Sequence, residues 1–75
     1  MWYRQTLEVV RIRNALRALL AGETLADAEA VAEMLDELRQ IALDDSHPAG
    51  GADLRREYER WRARAQALAL NARNN

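Results

Sequence analysis

TLADAEAVAEMLDELRQIALDD, residues 24–45, is the stretch that decides how this chain reads. Its apolar positions Ala28, Val31, Leu35, Leu38 and Ala42 advance in alternating steps of three and four, and Met34 and Ile41 widen the stripe. That is the spacing of one face of a helix. On the opposite side stand Glu29, Glu33, Asp36 and Gln40, with Glu37 beside them. Thr24 is placed to cap the helix, with Asp27 three residues on in the manner of a capping box, so the spacing predicts a helix over 25–43. Gly22 just upstream predicts the left-handed cap of a preceding helix, and Gly22-Glu23-Thr24 then reads as a tight αα-hairpin.

Working outward from this helix, the segment before it repeats the pattern. Trp2, Val9, Ile12, Leu16, Leu19 and Leu20 share one side of a helix expected over 3–21. A second, shorter row of Tyr3, Leu7 and Val10 lies well around the cylinder, which makes these residues the candidates for self-association into a homodimer. Downstream, Asp44-Asp45-Ser46-His47-Pro48-Ala49-Gly50-Gly51 breaks the periodicity and predicts a connection over 44–52. Asp53 is placed as the next N-cap, and Leu54, Tyr58, Trp61, Ala65, Leu68 and Ala72 form a narrow seam of the coiled-coil type. A third helix over 53–70 follows, with a frayed polar tail at 71–75. The expected architecture is all-α, a compact antiparallel three-helix bundle in a single domain of 75 residues.

Charge divides the chain in the same places. Residues 22–52 carry eight acids against Arg39, a net −7, while the segments before and after carry +3 each, which gives the total of −1. Within the middle helix Glu29/Glu33 and Glu33/Glu37 are like-charge i,i+4 pairs, each costing roughly 0.2–0.5 kcal/mol. The helix does not neutralise itself. One reading makes the layout internal, with the flanks of the acidic helix facing the arginine flanks of its neighbours. The other gives the outward row Glu29, Glu33, Asp36 and Gln40, with the trailing Asp44 and Asp45, to a partner protein with a basic surface.

Composition narrows the classes further. Cysteine is absent and His47 is the single histidine, so a zinc cluster of the usual His/Cys kind is ruled out and no metal or cofactor is expected. The first residues lack the apolar core of a signal peptide and no apolar run approaches the ~20 residues of a membrane span, which predicts a cytoplasmic protein. Every cation is arginine and none is lysine, a bias that points towards a GC-rich bacterial or phage genome. Asp44, Asp45, Ser46 and His47 have the side-chain types of hydrolytic chemistry, but four consecutive loop residues do not readily converge on one reacting atom. The expected function is a non-catalytic protein–protein interaction module, a small adaptor or inhibitor. The alternative is a nucleic-acid-binding regulator using the i,i+4 row Arg56, Arg60 and Arg64 on the third helix. Residues 47–54 resemble, over eight positions and with one insertion, the His-Pro-x-Gly…Asp-Leu segment of colicin DNase immunity proteins. Arg55 and Arg56 stand where that family places a toxin-contacting tyrosine pair, so nothing functional is carried over from it.

Overall fold

A computed structural model describes the backbone of residues 2–74 and the side chains of residues 7–71. Three helices and no strand form among them: α1 (Trp2–Leu19), α2 (Ala28–Leu43) and α3 (Ala52–Asn74). They make an all-α three-helix bundle with overall dimensions of 45 × 19 × 16 Å. Among the described residues, no helix is long and apolar enough to cross a membrane.

The core follows from the three stripes. Val9, Ile12, Leu16 and Leu20 of the first stripe are buried against Val31, Leu38, Ile41 and Ala42 of the second and Leu54, Ala65 and Leu68 of the third. Leu16, Leu20 and Leu38 are wholly excluded from solvent, and each such side chain stabilises the fold by about 1.5–3 kcal/mol relative to exposure. Tyr58 and Trp61 are half-buried and pack on this cluster. The α2 stripe is rotated slightly from the expected one: Ile41 is a core residue, Leu35 is half-buried, and Ala28, at the first helical position, is exposed. In the second α1 row Leu7 is 52% exposed and Val10 is half-buried, while the Tyr3 and Trp2 side chains lie outside the described residues, as does that of Ala72.

The ends of the helices differ from the expected ones, each for an identifiable reason. The connection between α1 and α2 is a loop over 20–27 in place of a tight hairpin. Asp27, and not Thr24, is the N-cap of α2: its carboxylate accepts from Ala30 N–H at 3.1 Å, so α2 starts at Ala28. A carboxylate is the stronger acceptor for the unpaired amides of a first turn and is favoured by the helix dipole. The three residues released from helix let Leu25 turn in to cover the end of the core. Gly22 does not take the left-handed conformation, because α1 closes by other means: Leu20 N–H donates to Leu16 O at 2.9 Å, and the Leu20 carbonyl is captured by Arg64 of α3. Asp53 lies inside the first turn of α3, where Gly51 supplies the first acceptor carbonyl to Arg55 N–H at 3.1 Å. At its other end α3 continues to Asn74, past the expected stop at Leu70.

The second connection, residues 44–51, is tightly folded onto the end of α2. Gly51 N–H donates to Ala42 O at 3.1 Å and Gly50 N–H to His47 O at 2.9 Å. Gly51 has φ +136°, which side chains rarely tolerate, and a Cβ at Gly50 would run into Asp44 O and lie 2.8 Å from Ile41 O. Both obstacles at Gly50 are backbone atoms with no freedom to retreat. Gly50→Ala is therefore expected to cost about 1–3 kcal/mol in urea denaturation. Gly22→Ala, where the nearest atom to a new Cβ is 3.8 Å away, should leave stability unchanged or raise it by up to about 1 kcal/mol. The caps make a parallel comparison: Asp27→Ala should lower stability by about 1 kcal/mol, and Thr24→Ala should stay within about 0.5 kcal/mol of the parent.

Candidate functional site

The acidic row is where the sequence spacing puts it. Glu29, Glu33, Asp36 and Gln40 are all exposed, on the side of α2 opposite Leu38. The one contact within the row is from Gln40 Nε2 to Asp36 Oδ2 at 2.8 Å, one helical turn apart. Among the described residues no ion pair joins any α2 carboxylate to α1 or α3.

The arginines that could have neutralised the row are engaged elsewhere. Arg13 of α1 makes a two-point contact with Glu57 of α3, Nε to Oε2 and Nη2 to Oε1, both at 2.7 Å. Trp61 Nε1 donates to the same Glu57 Oε2 at 3.1 Å. Arg64 reaches across to Leu20 O with Nη2 at 2.8 Å and Nε at 3.3 Å. Arg55 donates to Ala42 O at 3.3 Å and to Asp45 at 3.2 Å. Leu20 and Ala42 lie at the C-terminal ends of α1 and α2, where carbonyls lack helical partners and the dipole is negative, so a guanidinium is favoured there. Arg56 and Arg62 pair within α3, with Asp53 at 3.5 Å and Glu59 at 3.7 Å. The internal reading of the charge layout is thus replaced by a different one, in which the cations of α1 and α3 tie those two helices to each other and close helix ends.

Asp44 and Asp45 belong to the loop and do not extend the α2 row. Asp44 Oδ1 accepts from Ser46 Oγ at 2.6 Å and from Ser46 N–H at 3.0 Å. The Ser46 hydroxyl, followed by its backbone amide, holds the Asp44 carboxyl below the usual carboxylate range. Asp45 pairs with Arg55. His47 Nδ1 accepts from Ala49 N–H at 3.0 Å, which leaves the ring proton on Nε2, 3.3 Å from Glu8 Oε2 on α1. Ser46 and His47 face different partners, and each of these polar groups holds the turn.

Of the proposed nucleic-acid row, Arg56 and Arg60 are exposed, whereas Arg64 is bound to the α1 terminus. Tyr58 and Trp61 are half-buried and pack against the core. The contact that sequence reasoning missed is Arg13–Glu57–Trp61. Its signal was Glu57, the lone acid beside Arg60 and Arg64 on that flank of α3, which calls for a cation on the facing helix. Comparison with family models, curated proteins and solved structures finds no match for this chain.

The clamp carries a pH signature. The Arg13 guanidinium holds the Glu57 carboxyl below the ordinary glutamate range; partial burial opposes this and the Trp61 indole assists it. The Arg13 pKa is raised in turn by the same hydrogen bond. Because the folded-state value of Glu57 is the lower one, its contribution is complete above the unfolded value, about 4.3, and disappears as pH falls through the folded value. Glu57→Gln should therefore be about 1.5–3 kcal/mol less stable than the parent at neutral pH, the scale of a hydrogen bond to a charged group. The gap should narrow in urea titrations as the pH is lowered below the unfolded glutamate value. Asp44 is common to both proteins, so its own loss cancels in the difference.

Proposed function

We propose that this chain is a non-catalytic protein-interaction module that binds a basic surface of a larger protein through the outward face of α2. The observation that supports this is the exposed row Glu29, Glu33 and Asp36, which forms no ion pair with an arginine among the described residues, while the arginine contacts that do form serve other purposes or lie on other faces. Like-charge neighbours at i,i+4 destabilise α2 by a few tenths of a kcal/mol each, and a partner's arginines or lysines would reverse the sign of that effect. Glu37 adjoins the row and enlarges the negative field. Such a field speeds association with a positively charged partner and suppresses wrong ones, which suits a small adaptor or inhibitor.

The nucleic-acid alternative is less well supported. With Arg64 engaged, the proposed row offers Arg56 and Arg60, and two phosphate contacts give a salt slope of only about −1.8 on duplex DNA. The acidic face of α2 would also repel the backbone.

Charge reversal separates these readings. Immobilised protein should capture a partner from lysate of the parent organism in a manner weakened by salt, and Glu29→Arg with Glu33→Arg should reduce capture at least about tenfold, or 1.4 kcal/mol, without loss of helical circular dichroism. Capture that survives the reversal would refute the α2 face as the contact. Retention of duplex or RNA at low salt, abolished by Arg56→Gln with Arg60→Gln, would establish the alternative in its place.

A further inference from the structure

On the side of the bundle away from the acidic row, α1 and α3 enclose a groove of about 330 Å³ lined by Arg13, Glu57, Arg60, Trp61 and Arg64. We propose that this groove is a binding site for a small aromatic carboxylate, or an equally flat apolar anion, whose ring lies against Trp61 and whose charge meets the arginines.

Three features of the groove specify that chemistry. Its walls are largely apolar, made of the half-buried indole and the aliphatic stems of the arginines, which are covered more favourably by a ring than by water. Its charge is positive: three guanidiniums face one carboxylate, and both Glu57 oxygens are already occupied, by Arg13 and Trp61. Finally, two of its three cations are fixed in advance. Arg13 uses Nε and Nη2 on Glu57, and Arg64 uses Nε and Nη2 on Leu20 O. The Nη1 group of each therefore remains to donate, since a guanidinium has five N–H bonds. Arg60 has no side-chain hydrogen bond among the described residues and supplies a movable cation at the rim. Arginines already held in place lose little further freedom when an anion arrives. The volume is at the lower end of small-molecule sites, enough for a bicyclic ring and its carboxylate.

The other depressions lack this combination. One of about 600 Å³ between α2 and α3 sets Asp36 and Glu59 against Arg39 and Arg62, leaving no net sign to select a ligand. Another, of about 520 Å³, runs along Arg55, Arg56, Glu59 and Arg60 on α3 alone and has no facing helix to form a second wall.

The test uses the intact chain and 2-naphthoate, followed by the Trp61 indole N–H resonance in ¹H–¹⁵N spectra, with Trp61→Phe to assign the signal. A saturable shift is expected with 2-naphthoate. The cation 2-(aminomethyl)naphthalene, which has the same ring, should bind at least about tenfold more weakly, and acetate should give no saturation below about 10 mM. Arg60→Gln should weaken 2-naphthoate about three- to fivefold, and Arg11→Gln, on the outer face of α1, should leave it unchanged. Equal binding of the cationic and anionic rings would show only an apolar patch and would overturn the proposal. So would the absence of a saturable shift with 2-naphthoate, or an Arg60→Gln variant that binds it as tightly as the parent.

Discussion

The packing of α2 against both of its neighbours sets the layout of this bundle, and two arginine contacts between α1 and α3 fix its third side. Arg13 to Glu57 and Arg64 to Leu20 O both span 44 residues in sequence, so two ties a heptad apart hold the two helices parallel and in one register. Helices this short are marginal alone, and three stripes of leucine, valine and isoleucine can slide along one another at small cost. A two-point arginine–carboxylate contact cannot slide, because both of its hydrogen bonds require the same geometry. Partial burial raises the penalty for separating the pair, since a lone charge left in the groove would lose its partner without regaining full hydration. The α2 helix packs against both of its neighbours, and the arginine contacts add a fixed register between the two that flank it.

Once α1 and α3 face each other through their cations, the charge pattern of the whole molecule follows. Arg13 ties α1 to α3, and Arg64 and Arg55 close the C-terminal carbonyls of α1 and α2, while Glu29, Glu33 and Asp36 stand on the exposed side of α2. A chain whose net charge is −1 thereby presents an acidic face and, behind it, a basic groove with an indole floor. The loop after α2 uses its charges similarly. Asp44 closes a turn with Ser46, Asp45 holds Arg55, and His47 bridges the turn to Glu8. Two aspartates after a helix C-terminus look unfavourable in sequence because the dipole opposes them. Their hydrogen-bond partners supply the structural reason, and Arg55, which also donates to Ala42 O, places a cation where the dipole requires one.

Periodicity alone makes much of this legible. Steps of three and four identified every buried residue of α1 and α3 and all of those of α2, because burial of an apolar stripe is a property of the helix itself. The same arithmetic placed Glu29, Glu33, Asp36 and Gln40 on the exposed side. Helix ends were less legible. Thr24 and Asp27 are both competent caps, and the choice between them depends on whether Leu25 gains more from a helical position or from covering the core. Gly22 and Gly51 are equally free to adopt positive φ, and only the packing decided that Gly51 does.

What the sequence determined by itself is therefore the number of helices, their buried faces and the acidity of the outward face of α2, all of which depend on spacing along one chain segment. Which arginine meets which partner was decided by tertiary structure alone. Arg13, Arg56, Arg60 and Arg64 are alike as residues, and a long flexible side chain can serve a neighbouring turn, a facing helix or solvent. The reach of a guanidinium is several ångströms, so its partner is fixed only when the register of two helices 44 residues apart brings one acceptor within range and leaves the others out of it.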